Sequence, residues 1–162
     1  MLVYQFDSVK MNKLIEAEVA MEQKFSTFRA EVNGKKFTDN QIEDILVNST
    51  NSNELKETWE ASKQIGAFVA DDVKQLVVLR NEIARDLGFT NFHEMSLKSS
   101  DQEPEAILAL FDELDKMTKG AFDSLKTSMD EKLAKKYRIP VSQLMPWHSQ
   151  TDFSRKLPKF MM

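Results

Sequence analysis

Residues 53–87 read NELKETWEASKQIGAFVADDVKQLVVLRNEIARDL, and the spacing of the apolar positions in this stretch decides the fold. Leu55, Trp59, Ile65, Val69, Val73, Leu76, Leu79 and Ile83 recur close to every third or fourth residue, which is the step of one face of an α-helix. Gly88 closes the run, because glycine accepts the left-handed conformation that ends a helix. At 1.5 Å per residue the helix would extend about 50 Å, beyond the roughly 30 Å width of a small domain. Unless Gly66 bends it, such a helix implies an elongated bundle or part of something larger.

The same periodicity continues outward. From Ser8 to Asn33, Met11, Leu14, Ile15, Val19, Met21, Phe25 and Phe28 mark one face, and Asn33-Gly34 supplies a left-handed stop. Thr38 with Gln41 three residues on has the form of a capping box and opens a helix over 39–49, with Ile42, Ile45 and Leu46 inward. A polar stretch, Asn48 to Asn53, offers N-caps for the long helix. A short helix follows over 90–98. Pro104 then opens a helix over 104–138, since proline loses nothing in a first helical turn. Its stripe is Ile107, Leu108, Phe111, Leu114, Phe122, Leu125, Met129, Leu133 and Tyr137. Residues 139–162 read as a short turn between Pro140 and Pro146 and a polar, basic tail. The chain holds only four glycines and four prolines, and no alternation bounded by hairpin signals stands out. The expectation is an all-α elongated helical bundle, with 1–162 a single helical segment.

Bulk composition excludes several classes. Lys and Arg number 22 against 26 Asp and Glu, a net charge of -4, whereas nucleic-acid binders carry a basic face. Cysteine is absent, which removes disulfides, thiolate metal sites and thiol nucleophiles. The opening Met1-Leu2-Val3-Tyr4-Gln5-Phe6-Asp7 has neither the basic start nor the apolar core of a signal peptide. No apolar run approaches the ~20 residues of a membrane span. A cytoplasmic protein that binds neither nucleic acid nor membrane is expected.

No complete catalytic set is present. A helical zinc hydrolase uses His-Glu-x-x-His, in which two imidazoles four residues apart share a helical face beside a glutamate base. The chain offers His93-Glu94-Met95-Ser96-Leu97, and leucine stands where the second ligand belongs. The other histidine is His148, preceded three residues earlier by Met145 rather than the glutamate a di-iron bundle needs. Serines lie outside Gly-x-Ser-x-Gly turns, and phosphate-cradling glycine loops are missing. Carboxylate pairs such as Asp71-Asp72 read as solvated faces or helix starts. Arg80 and Arg85 read as structural ion-pair partners for carboxylates such as Glu82 or Asp86.

Three stretches point to a family. They are Phe25-Ser26-Thr27-Phe28-Arg29-Ala30-Glu31-Val32, Trp59-Glu60-Ala61-Ser62-Lys63-Gln64-Ile65-Gly66, and Leu79-Arg80-Asn81-Glu82-Ile83-Ala84-Arg85-Asp86-Leu87-Gly88-Phe89. With Ile139-Pro140-Val141-Ser142-Gln143-Leu144-Met145-Pro146-Trp147-His148, they resemble, in order, the helical N-terminal half of zinc peptidases related to angiotensin-converting enzyme. Oligoendopeptidases and thimet oligopeptidases are more distantly similar. The likeness spans roughly Phe25 to Phe153.

That resemblance implies a nearly all-helical ellipsoid cut by a deep peptide channel, in which zinc held by His-Glu-x-x-His and a later glutamate cleaves short peptides. It places the zinc helix beyond Met162, so no cofactor is expected on this chain and its own catalytic and metal-binding residues are none. The chain would then be a helical segment of a zinc-dependent oligopeptidase, walling the substrate channel and inactive alone. Trp147 and His148 are the candidates for the channel side, weighed against simple anchoring of the tail. The expected partners are the remainder of the peptidase, peptides, or a second copy through exposed apolar helix faces. The alternative is a freestanding helical module that binds a peptide or protein.

Overall fold

The structure is a computed structural model describing residues 7–149. It is all-α: helices α1 (Ser8–Thr27), α2 (Asp39–Asn48), α3 (Ser52–Asp86), α4 (Phe92–Ser99) and α5 (Pro104–Tyr137), with one small hairpin, β1 (Ala30–Val32) and β2 (Lys35–Phe37). Two single 3-10 turns, Val141–Gln143 and Pro146–His148, follow α5, where the sequence predicts one turn. The expected tail from residue 150 onward lies outside the described residues.

Local chemistry explains most boundaries. Thr38 Oγ1 accepts from the Gln41 backbone N–H at 3.4 Å, and Gln41 Oε1 accepts from the Thr38 N–H at 2.9 Å, so the capping box forms as expected and α2 starts there. Asn51 Oδ1 accepts from the N–H groups of Asn53 and Glu54 and thereby caps α3. That helix runs unbroken through Gly66. It stops where Gly88 takes φ +86° and the Phe89 N–H reaches back to the Ala84 carbonyl, a Schellman closure. Arg138 performs the same turn after α5 at φ 56°, with the Ile139 N–H on the Ala134 carbonyl.

One expectation fails. The helix predicted over 8–33 ends at Thr27, and Asn33-Gly34 is the turn of a hairpin instead of a helix stop. Asn33 and Gly34 both have positive φ, 52° and 77°, the pair of left-handed residues that a two-residue hairpin turn demands. Ala30 pairs with Phe37 and Val32 with Lys35 across it. Ala30 is buried, and Phe28 and Phe37 pack on the same core, so alternate side chains fasten one face of the hairpin.

Contacts among the described residues gather into two compact units. The first comprises 7–27 and 68–119. Within it the ion pairs Lys10–Asp86, Glu18–Arg80 and Lys24–Asp72 step down α3 as α1 ascends, so these helices run antiparallel. Between the pairs lies a narrow apolar seam of Leu14, Leu76 and Ile83, flanked by Met11, Met21, Leu79 and Leu87. Arg80 is thus a structural ion-pair residue, as expected, but its partner is Glu18 on the facing helix, at 2.7 Å. Its guanidinium also lies over the Phe92 ring.

The second unit comprises 28–67 and 120–149. Its core is Ala30, Ile42, Leu46, Leu55, Leu133 and Tyr137, with Trp59, Ile139, Leu144 and Trp147 packed around. The hairpin, α2, the start of α3, the end of α5, and Ile139, Leu144 and Trp147 from the stretch after α5 contribute to it.

Candidate functional site

Trp147 and His148 sit on the second 3-10 turn, which Pro146 opens. The fixed φ of proline suits the first position of such a turn, and its missing N–H is not needed there. The turn closes on itself through the imidazole: His148 Nδ1 accepts the Met145 backbone N–H at 2.9 Å. A nitrogen that accepts carries no proton, so the ring is the neutral tautomer with its hydrogen on Nε2. That N–H donates to Ser52 Oγ, 3.0 Å away, in the first turn of α3. Only 3% of His148 is exposed, and this burial pushes its pKa below the ordinary 6.5, since desolvation penalises the charged form.

Aromatic rings complete the cluster. His148 lies 4.8 Å from the Tyr137 ring at the end of α5, and Trp147 lies 5.9 Å from Trp59 on α3. Lys56 stands over Trp147 at 5.8 Å and Lys63 over Trp59 at 5.4 Å, within cation–π range. Trp147 remains partly exposed. Tyr137 Oη and Trp59 Nε1 are buried with no protein hydrogen-bond partner among the described residues. The sequence singles out Trp147 and His148, and the structure joins them to Trp59, Tyr137 and Ser52. Trp59 and Tyr137 carry a visible helical period, but which turn they receive is a tertiary fact that periodicity does not encode.

A separate groove of about 570 Å³ opens in the same unit between the hairpin, α2 and the start of α3. Asn33, Lys35, Asn53, Glu54, Glu57 and Thr58 are among its walls. Asn33 donates to Glu57 at 3.3 Å, and Ser49 donates to Glu54 at 2.6 Å. Amide and carboxylate groups of this kind can hold polar or cationic ligand atoms, but they include no paired nucleophile and base.

The near-motif on α4 has a structural explanation. Asn91 caps the helix, with Oδ1 accepting the Glu94 N–H at 2.9 Å. The Glu94 carboxylate turns back to accept the Thr90 N–H at 2.8 Å and also binds Lys98, one helical turn on. The Lys98 ammonium and then the Thr90 donors hold the Glu94 pKa down to about 2. His93 is exposed. Among the described residues no group of three His, Asp or Glu side chains is placed to hold a metal ion, and no helix is long and apolar enough to cross a membrane.

The fold and these sites therefore define an all-helical protein in which the described residues assemble no metal-binding group. The chain belongs to the angiotensin-converting enzyme family, peptidase family M2, whose family model matches residues 2–150. No curated protein and no solved structure gives a match. The family implies zinc, and the described residues do not fit it. His148 has both ring nitrogens engaged in hydrogen bonds, Glu94 is committed to Thr90 and Lys98, and Leu97 occupies the place of the second imidazole.

Proposed function

We propose that this chain is a helical part of a zinc-dependent oligopeptidase of that family, forming a portion of the peptide-channel wall and hydrolysing nothing alone. The observation that carries the reading is the family match over 2–150 in a sequence whose two histidines form no zinc pair. Zinc-bound water and carbonyl polarisation, the usual sources of rate in such enzymes, would come from residues outside these 162. The partly exposed edge of Trp147, presented on a turn fixed by His148, is the proposed channel-side feature. Further support comes from the apolar side chains exposed along α5, from Leu108 to Leu125, which suit contact with the remainder of such an enzyme or with a second copy.

The test is a zinc titration of the purified chain combined with a short-peptide hydrolysis assay and a peptide titration followed by Trp fluorescence. The expected result is no stoichiometric zinc uptake, no EDTA-sensitive cleavage, and a peptide-dependent change in emission that is lost in Trp147→Phe. Tight one-to-one zinc binding or EDTA-sensitive cleavage would overturn inactivity, and an unchanged emission at saturating peptide would overturn the channel-side role.

A further inference from the structure

The His148 hydrogen bonds tie two distant pieces of sequence together at one titratable atom. Nδ1 receives the Met145 N–H and Nε2 reaches Ser52, so a single neutral imidazole closes the last turn and pins it to the first turn of α3. We propose that His148 is a pH-operated latch: in its neutral form it holds residues 139–149 on the second unit, and its protonation releases them.

Three features oppose a proton on Nδ1. First, it would point at the Met145 N–H, placing two donors 2.9 Å apart with no acceptor between them. Second, the resulting cation would be buried, at 3% exposure, where an uncompensated charge is costly. Third, it would stand at the N-terminal end of α3, where the helix dipole is positive.

The charged neighbours offer no relief. On α3, Lys56 lies over the adjoining Trp147 ring and faces Glu60 at 3.9 Å, Lys63 lies over Trp59, and Glu54 is bound by Ser49. On α5, Tyr137 meets the imidazole with its ring, and Lys136 lies over that ring at 4.9 Å. Among the described residues, these flanking charges are cations over the aromatic rings or carboxylates already engaged. Release would uncover the aromatic side of the core, including Tyr137, which is 7% exposed in the closed form.

The sign of the effect follows from the lowered pKa. Because the folded form holds His148 below its ordinary 6.5, the stabilisation is complete above that value and is lost as pH falls from it through the folded pKa. Hydrogen exchange over residues 139–149, corrected for intrinsic rates, should lose at least about tenfold in protection between about pH 7.5 and about pH 5. The loss should persist in His93→Gln and vanish in His148→Gln, whose amide can accept from Met145 and donate to Ser52 without titrating. Unchanged protection in the wild type, or the same loss in His148→Gln, would refute the latch. Should His148→Gln unfold at neutral pH, imidazole NMR of the wild type decides. An Nε2–H tautomer titrating together with exposure of the Met145 amide supports the proposal. A His148 that titrates while that amide stays protected sinks it.

Discussion

The two units share the long helices α3 and α5 and treat their apolar residues in different ways. The unit of 28–67 and 120–149 encloses Ile42, Leu46, Leu55, Leu133 and Tyr137 by wrapping short pieces, the hairpin and the 3-10 turns, around the ends of two long helices. The unit of 7–27 and 68–119 has a seam of Leu14, Leu76 and Ile83. It leaves Phe68, Val77 and Val78 of α3 and Leu108, Phe111 and Met117 of α5 exposed, Met117 to 73%. Long helices alone bury one stripe each. Closing a core takes segments that reach around the helix ends, and in the second unit the hairpin and the stretch after α5 pack their apolar side chains there. These exposed apolar side chains are the surface that the proposed contact with further polypeptide would cover.

The largest expected effect separates the two cores directly. Leu55 is fully buried in the wrapped unit and Leu76 is 2% exposed in the seam. Truncation to alanine costs about 2–5 kcal/mol depending on how well the site can collapse. Leu55→Ala should fall in the upper half of that range, since hairpin, helix and turn all surround it. Leu76→Ala should fall at the lower end, where the seam is narrow and ion-paired side chains can close in. Urea denaturation followed by far-UV circular dichroism measures both. Equal losses would erase the distinction drawn between the units.

The contrast was only half legible in the sequence. Helix identity was readable because caps and stripes are local: Thr38 with Gln41, Pro104, and Gly88 all act within a few residues of themselves. The hairpin of Ala30 and Phe37 is not evident from local signals, because Asn33-Gly34 serves equally as a helix stop or a two-residue turn. The alternation Phe28, Ala30, Val32 before it and Lys35, Phe37 after it was the available signal. The α5 stripe from Leu108 to Leu125 was correctly apolar, yet periodicity states only that a face is apolar and never what covers it. For the same reason Trp147 and His148 could be singled out, while Ser52 and Tyr137 as their neighbours could not.

A smaller effect, of opposite sign, tests how completely the wrapped unit is satisfied. Tyr137 Oη has no protein partner among the described residues, and an unbonded buried polar group costs about 1–3 kcal/mol. Tyr137→Phe keeps the ring against His148 and removes the hydroxyl. It should leave stability unchanged or raise it by about 1 kcal/mol. A loss comparable to Leu55→Ala would mean that the hydroxyl is bonded after all and that this core depends on a polar contact as much as on packing.

The seam should respond to salt where the wrapped core does not. Glu18–Arg80 and Lys24–Asp72 bridge α1 and α3, and exposed pairs of this kind contribute about 0.2–1 kcal/mol, less as salt rises. Hydrogen exchange along α1 should quicken between low salt and about 1 M salt, where the screening length falls to about 3 Å. Glu18→Gln should remove part of that dependence. Exchange around Leu133 should hold steady across the same series, and a parallel response there would show that the two units open together.

The smallest effect is confined to the start of α4 and runs with pH in the direction set by a lowered carboxylate. Glu94 has its pKa held down from 4.5 to about 2, first by Lys98 and then by Thr90. A depressed folded pKa means that its contribution is whole above 4.5 and is lost as pH falls toward 2. The Thr90 amide, which donates to Glu94 at 2.8 Å, should therefore lose protection in that window. Glu94→Gln should remove the window while leaving Asn91 to cap the helix. If Thr90 and the Met145 amide opened at one common pH in the wild type, local titration would be the wrong description of either, and a single acid unfolding of both units would replace it.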